Sequence, residues 1–242
     1  MKNLVIIPVY NEAKTLKSVL DRIGEHHCGA IVAIDDGSTD GSAQILDEQT
    51  GIKVISHERN LGYGQSLIDG FQYAVTRRYD LAVTIDCDEQ HEPHLIPMMF
   101  RGVCGLDVLS GSRYMDESEK ADRAPEDRRR INMMMTNIIN QATGFDLTDS
   151  FCGFKCYRVS ALARLSLDEA GYAQPIQLWI QARHFGLKVK EIAVPRIYKN
   201  LDRKFGGGMD NPQLRLKYYK RVMDKEMEKW SMSLSSELTL TI

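Results

Sequence analysis

Asp86 and Asp88 lie in the run Asp86-Cys87-Asp88-Glu89-Gln90-His91, directly after an apolar segment at residues 81–85. In extended backbone, positions i and i+2 point to the same side, so the two carboxylates can converge on one point. Paired carboxylates at a strand end suit a hard divalent cation, Mg²⁺ or Mn²⁺, which in turn binds diphosphate oxygens. Gln90 continues the alternation and would add a neutral oxygen ligand. An isolated Asp-x-Asp is more often a solvated acidic turn; the strand in front of this one favours the metal. A second acidic turn, Asp35-Asp36-Gly37-Ser38-Thr39-Asp40, follows residues 31–34. Its carboxylates can accept from a ribose hydroxyl or a base N–H while Gly37 relaxes the backbone, and Ser38 or Asp40 can cap the next helix.

Phosphate chemistry also needs cations. Arg113 follows residues 108–111, Arg128, Arg129 and Arg130 form a basic run, and Arg203-Lys204 precede a triple glycine. A guanidinium fork matches phosphate oxygens. Nearby Asp122, Glu126 and Asp127 make surface pairing the competing reading, worth only about 0–1 kcal/mol per pair. Other chemistries fit poorly. The chain has no Gly-x-x-x-x-Gly-Lys-Ser/Thr phosphate loop and no Gly-x-Ser-x-Gly elbow. Gly62-Tyr63-Gly64 lacks a third glycine three residues on, and His26, His27, His91 and His94 lack zinc-ligand spacing. Cys28, Cys87, Cys104, Cys152 and Cys156 are scattered, as expected of free and mostly buried thiols.

The elements that must position these groups alternate. Short β-branched runs at 4–9, 31–34, 54–56 and 81–85 predict strands. Between them lie helical patterns carrying Leu16, Val19, Leu20 and Ile23 (with Asn11 as cap), then Ile45 and Leu46, then Leu67, Phe71, Ala74 and Val75. This order predicts an α/β fold, a mostly parallel central sheet with helices on both faces, whose ligands bind at the carboxyl edge of the strands. Further on, 108–111 and 189–194 predict strands, and 116–130, charged and holding Pro125, predicts a mobile loop. Helices are expected over 131–142 and 176–185, the latter stopped by Gly186. Gly206-Gly207-Gly208 predicts a hinge, followed by an amphipathic helix through Tyr218, Val222, Met223, Met227 and Trp230. The expected division is a catalytic domain over 1–206 and a C-terminal helix and tail over 207–242.

The 242 residues suffice for one large domain. A net charge of −2 gives no general attraction to nucleic acid. No apolar run approaches the roughly 20 residues of a spanning helix, and Met1-Lys2-Asn3 opens directly onto a strand without a signal peptide. A cytoplasmic protein is expected, with any membrane contact peripheral and at the inner face. The C-terminal helix, mixing Tyr218, Tyr219 and Trp230 with Lys217, Lys220 and Arg221, would dock on the catalytic domain or on a second copy in a homodimer. A membrane interface is the weaker reading, because Asp224, Glu226 and Glu228 disfavour an anionic surface.

Together, Ile7-Pro8-Val9-Tyr10-Asn11-Glu12, Ile34-Asp35-Asp36-Gly37-Ser38, Asn60-Leu61-Gly62-Tyr63-Gly64, Asp86 to Pro93, Gly111-Ser112-Arg113-Tyr114 and Asp149-Ser150-Phe151-Cys152-Gly153-Phe154-Lys155 resemble the family 2 glycosyltransferases of GT-A fold. The likeness is strongest to the dolichol-phosphate mannose synthase and polyprenyl-phosphate glycosyltransferase branch. It implies a metal-dependent hexosyltransferase that moves a sugar, with inversion, from a GDP- or UDP-linked donor to a phosphate-bearing acceptor such as polyprenyl phosphate. By that resemblance Pro8, Tyr10, Glu12 and Asp35 or Asp36 would hold the base and ribose. Asp86, Cys87 and Asp88 would fill the Asp-x-Asp positions, with Asp88 and Gln90 nearest the metal. Arg113 would sit by the donor sugar or diphosphate, Arg128–130 would meet the acceptor phosphate, and Arg203 would close over the phosphates. Where that branch usually carries Gly-x-Ser-Lys, this chain has Gly206-Gly207-Gly208-Met209, so the expected lysine is missing.

A phosphate monoester, with a second pKa of about 6, is already largely a dianion at neutral pH and needs no general base. An alcohol acceptor would need one, and Asp149 is the candidate by motif position. Two rivals remain: a sugar-phosphate nucleotidyltransferase, which would need a glycine- and lysine-rich loop where Pro8 to Glu12 stand, and a non-catalytic nucleotide-sugar-binding protein.

Overall fold

The computed structural model describes residues 1–115, 125–198 and 208–232. In chain order the elements are β1 (Asn3–Val9), α1 (Leu16–His26), β2 (Ala30–Asp35), α2 (Ser42–Asp47), β3 (Ile52–Ser56), α3 (Tyr63–Thr76) and β4 (Leu81–Thr84). There follow a 3₁₀ turn (Pro93–Leu95), α4 (Ile96–Gly102), β5 (Val108–Ser112), α5 (Glu126–Thr143), β6 (Lys155–Arg158), α6 (Val159–Leu162), α7 (Gln174–His184), β7 (Val189–Ala193) and α8 (Pro212–Lys229).

β1 shows why the sheet is buried on both faces. Its side chains alternate, Leu4 and Ile6 entering one apolar cluster and Val5, Ile7 and Val9 the other. It pairs in parallel with β2 from Leu4 to Val9, but with β4 only from Asn3 to Ile6. Pro8 therefore lies beyond the β4 ladder, where its missing N–H costs no strand bond. The Pro8 carbonyl instead accepts from Cys87 Sγ at 3.3 Å.

Among the described residues the sheet has seven strands in the order β3-β2-β1-β4-β6-β5-β7. All neighbours run parallel except β6, which is antiparallel to β4 and to β5. The run Lys155-Cys156-Tyr157-Arg158 has no strand-like alternation of apolar and polar residues, and the sequence did not lead us to expect it. Its insertion matters. An antiparallel strand has its entry at the edge where its parallel neighbours end, so the turn before β6 is delivered to the carboxyl edge of β4 and β5.

Helices cover both faces, as expected. Residues of α3, α5, α7 and α8 pack in one cluster, and those of α1, α2 and α4 in the other. Tyr219, Val222, Met223 and Met227 of α8 belong to the same cluster as Trp179 of α7. Each fully buried residue of this kind contributes about 1.5–3 kcal/mol. α8 is also fixed by polar contacts. Buried Glu226 accepts from Gln177 (2.7 Å), Gln181 (3.1 Å) and Trp230 Nε1 (2.8 Å), and Arg215 donates to Asp127 (2.9 Å) at the start of α5.

Three local expectations are corrected. Asn11 does not cap α1, whose N-cap is Thr15. It sits at φ 54°, a conformation asparagine tolerates, and its Oδ1 accepts from Thr39 N at 2.8 Å, which joins the loops after β1 and β2. Second, the charged stretch expected as a loop to residue 130 is helical from Glu126: Pro125 precedes the helix instead of breaking it, with Glu126 and Asp127 in the first turn. Residues 116–124 lie outside the described residues, as do Gly206 and Gly207 of the expected hinge. Third, Ser38 does not cap α2; its hydroxyl accepts from Asn11 N at 3.0 Å. Asp40 is the residue that receives the Ser42 N–H at the helix start, at 3.0 Å. Among the described residues no helix is long and apolar enough to cross a membrane.

Candidate active site

The parallel strands β1, β2, β4 and β5 lead into Tyr10, Asp35-Asp36, Asp86-Cys87-Asp88 and Arg113 respectively, all on one edge. The turn before β6 adds Asp149 to Phe154 to it.

The Asp-x-Asp segment keeps strand alternation for three residues. Asp86 and Asp88 are partly exposed, while Cys87 between them is 2% exposed and turned inward. Cys87 is thus no side-chain contact for a nucleotide: its thiol is spent on Pro8, and its carbonyl accepts from Thr15 Oγ1 at 2.7 Å. Pro8 is itself buried in β1, so neither side chain reaches the cleft. At Glu89 the backbone turns left-handed (φ 61°) and Gln90 N donates to Asp88 Oδ1 at 3.1 Å. The alternation expected to aim Gln90 beside the two aspartates ends at that turn. Asp86 is held from three sides. Tyr63 Oη donates to its Oδ1 (2.9 Å), its own N–H donates to His91 Nδ1 (3.2 Å), and Gly153 lies against its carboxylate. Burial and the adjacent Asp86 push the Tyr63 hydroxyl well above its ordinary pKa, so it stays a donor.

The two aspartates after β2 separate by role. Asp36 is consumed internally: it accepts from His57 Nδ1 (2.7 Å), Leu61 N (2.7 Å) and Gly62 N (2.9 Å), pinning the loop that opens α3. Asp35 accepts from Ser38 N at 3.0 Å through Oδ1. Asp35 is also nearly buried (4% exposed), but with fewer internal hydrogen bonds than Asp36 it is the carboxylate better placed for a ribose or base, on the same strand edge as exposed Tyr10 (46%). Glu12, partly buried, holds Thr15 Oγ1 at 3.3 Å through Oε2.

Asp149 is 0% exposed and does not fit the expected general base. Its Oδ2 accepts from Arg113 Nε (2.6 Å) and Arg113 N (3.2 Å). Its Oδ1 accepts from Arg113 Nη2 (3.0 Å), Asn132 (2.8 Å) and Phe151 N (3.3 Å). Burial opposes its ionisation, yet Arg113 and Asn132 outweigh that and hold the carboxyl below its usual range. Such a group aims Arg113; it has no lone pair to offer an acceptor proton.

Arg128, Arg129 and Arg130 are consecutive on α5, so about 100° separates each from the next and they cannot meet one phosphate together. Arg129 lines an open cavity of about 310 Å³ with Tyr114, Met133, Thr136, Asn140 and Thr148, next to the Arg113–Asp149 pair in sequence and space. Arg203 lies outside the described residues. Four further residues stand on this edge that spacing in the sequence does not single out: Tyr63, His91, Lys155 and Arg196. Lys155 is a buried cation whose Nζ donates to the Cys152 carbonyl and lies over the Trp179 ring, 5.5 Å from its centroid. Arg196 stacks over Tyr114 at 5.4 Å, with Arg113 at 5.7 Å from the same ring.

The donor set fits a hard divalent cation. Among the described residues no three His, Cys, Asp or Glu side chains cluster as a closed metal cage. Mg²⁺ and Mn²⁺ do not need one, since one or two carboxylates plus substrate phosphates and water suffice.

A nucleotide-binding sheet with an acidic strand end, an antiparallel strand inserted at β6 and arginines on the same edge is the GT-A glycosyltransferase architecture. Residues 4–166 match the glycosyl transferase family 2 profile, and the chain belongs to that family. Among curated relatives, an undecaprenyl-phosphate mannosyltransferase of Micrococcus luteus is 27% identical over 218 residues, covering 86% of this chain and 89% of its own. A UDP-N-acetylglucosamine–dolichyl-phosphate N-acetylglucosaminyltransferase of Methanococcus voltae is 28% identical over 245 residues, covering 93% and 96%. Among solved structures, glucosyl-3-phosphoglycerate synthase of Mycobacterium tuberculosis with Mn²⁺, UDP-glucose and phosphoglyceric acid superposes with a TM-score of 0.69. It is 19% identical, with 99% of this chain and 82% of that one covered, and supports the fold.

Proposed function

We propose that this glycosyltransferase carries a sugar, with inversion, from a nucleotide diphosphate donor to a phosphate-bearing lipid, with Mg²⁺ or Mn²⁺ bound by Asp88 and Asp86. The observation that carries the phosphate acceptor is the state of Asp149. The carboxylate positioned by motif to serve as a base is sealed against Arg113 and Asn132. A phosphate dianion needs no base, whereas an alcohol does. The relatives named for undecaprenyl and dolichyl phosphate support the same acceptor class.

In this reading Tyr10 and Asp35 hold base and ribose, with Glu12 beside them. Asp88 and Asp86 face the diphosphate. The cation, when bound, neutralises charge on the departing diphosphate. Arg113, held rigid by Asp149, supplies a fixed positive charge by the donor sugar, and Arg129 at the neighbouring cavity meets the acceptor phosphate. Preorganised charge of this kind needs no rearrangement during reaction. The protein meets its lipid acceptor at the inner face of a membrane as a peripheral protein, with the chemistry on the cytoplasmic side. Arg203 would add a further cation over the phosphates.

The test is product formation from UDP- and GDP-sugars with Mn²⁺, Mg²⁺ or EDTA and with undecaprenyl phosphate, 3-phosphoglycerate or the matching polyprenol as acceptor. Metal-dependent transfer to the lipid phosphate alone is expected. Transfer to the polyprenol hydroxyl, or nucleotide-sugar binding without turnover, refutes the proposal.

A further inference from the structure

The Asp86 carboxylate is oriented by groups from two other parts of the chain. Tyr63, the first residue of α3, donates its hydroxyl to Oδ1 at 2.9 Å. On the other side, Oδ2 lies directly over Gly153: a Cβ built at 153 would come within 2.3 Å of it and within 2.9 Å of Tyr63 Oη. Neither partner is loose. The Tyr63 ring stacks on Tyr172 with centroids 5.9 Å apart. Gly62 and Gly64 let the loop at 169–171 close on the start of α3, where a Cβ would stand 2.3 Å from Ala170 O or 2.2 Å from Glu169 O. The Gly153 carbonyl accepts from Thr84 Oγ1 of β4 at 2.6 Å, which fixes the turn to the strand that delivers Asp86.

We propose that Tyr63 and Gly153 are positioning residues of the nucleotide-sugar site, the hydroxyl holding Asp86 in one orientation and the missing side chain at 153 leaving room for it. The inference rests on the donor-binding reading above and adds two residues to it. A carboxylate free to rotate would lose contact with donor or cation for much of the time, and the resulting cost appears as weaker binding. Tyr63→Phe removes one hydrogen bond and keeps the stack on Tyr172. Gly153→Ala keeps the bond donor and displaces the carboxylate by bulk.

The test is calorimetric titration of Mn²⁺ with UDP, and separately with GDP, into wild type, Tyr63→Phe and Gly153→Ala, with thermal unfolding of each ligand-free protein. Tyr63→Phe is expected to bind the nucleotide about tenfold more weakly, the worth of one such hydrogen bond. Because the same bond exists without ligand, its unfolding midpoint is expected to fall by no more than about 5 °C; a purely structural role would lower the midpoint and leave affinity alone. Gly153→Ala is expected to lose at least as much affinity. Wild-type affinity in Tyr63→Phe, or a lowered midpoint with affinity intact, overturns the positioning role. A wild-type protein that binds neither nucleotide overturns the donor-binding reading itself, and is told apart by that.

Discussion

Arg113 and Asp149 form a two-pronged pair, Nε to Oδ2 at 2.6 Å and Nη2 to Oδ1 at 3.0 Å, with Asp149 wholly buried. They are brought together by topology. Arg113 leaves β5 in one direction, and Asp149 lies in the turn that enters β6 in the other. Glu191 of β7 steadies the arrangement by accepting from Asp149 N at 3.0 Å and Thr148 N at 2.6 Å.

Breaking a buried pair leaves an uncompensated charge, which typically costs about 3–5 kcal/mol. Asp149→Ala is therefore expected to lose stability of that order in urea denaturation, and Arg113→Ala to do so as well. Arg113→Lys retains charge without the fork and should keep the fold while losing most transfer. A lysine variant with full activity would show that the fork has no role beyond its charge.

Asp88→Asn removes the charge proposed to hold the cation while preserving shape. Transfer is expected to fall by at least about 100-fold, a loss of about 2.7 kcal/mol in transition-state stabilisation. The circular dichroism spectrum and unfolding midpoint should match wild type. Turnover unchanged within a factor of two would remove Asp88 from the site.

How much of this was legible in sequence depends on distance along the chain. The alternating half was, because each strand there is a contiguous β-branched run and each acidic turn follows its strand directly. The role of Asp36 was not, since nothing local distinguishes it from Asp35; only the return of Leu61 and Gly62 shows which carboxylate is consumed. β6 escaped because Lys155 and Arg158 bracket a four-residue strand whose pairing partners are remote. Tyr63 and His91 looked like ordinary positions of a helix and a turn, and their roles exist only through contact with Asp86. Pro125 is compatible with either a loop or the position before a helix, so the sequence alone does not place the start of α5.

His57 lies between Asp36 and Asp69, Nδ1 at 2.7 Å from one and Nε2 at 2.8 Å from the other, with its side chain 7% exposed. Both ring nitrogens face carboxylates, so the cation is the form that satisfies the site. Burial alone would lower its pKa, but the two acceptors outweigh burial and raise it above 6.5. A raised folded pKa gives stability that is fully present below the unfolded value and is lost as pH rises through the folded one. Wild type should therefore lose stability as pH rises above 6.5, beyond the change seen in His57→Gln. Parallel stability–pH curves for the two proteins would count against the bridge.

Glu226 tests whether α8 is part of the catalytic fold. Its carboxylate has 0% exposure and takes hydrogen bonds from Gln177, Gln181 and Trp230, tying α8 to α7. Glu226→Ala removes three hydrogen bonds to a carboxylate, each worth about 1.5–3 kcal/mol, although Gln177 Nε2 keeps Asp168 and Gln181 Nε2 keeps the Ser166 carbonyl as acceptors. A single cooperative transition, destabilised by several kcal/mol, is expected if α8 folds with the sheet, and amide exchange should rise in α7 and α8 together. Exchange confined to α8, with the main transition unmoved, would instead mark the helix as a separable appendage.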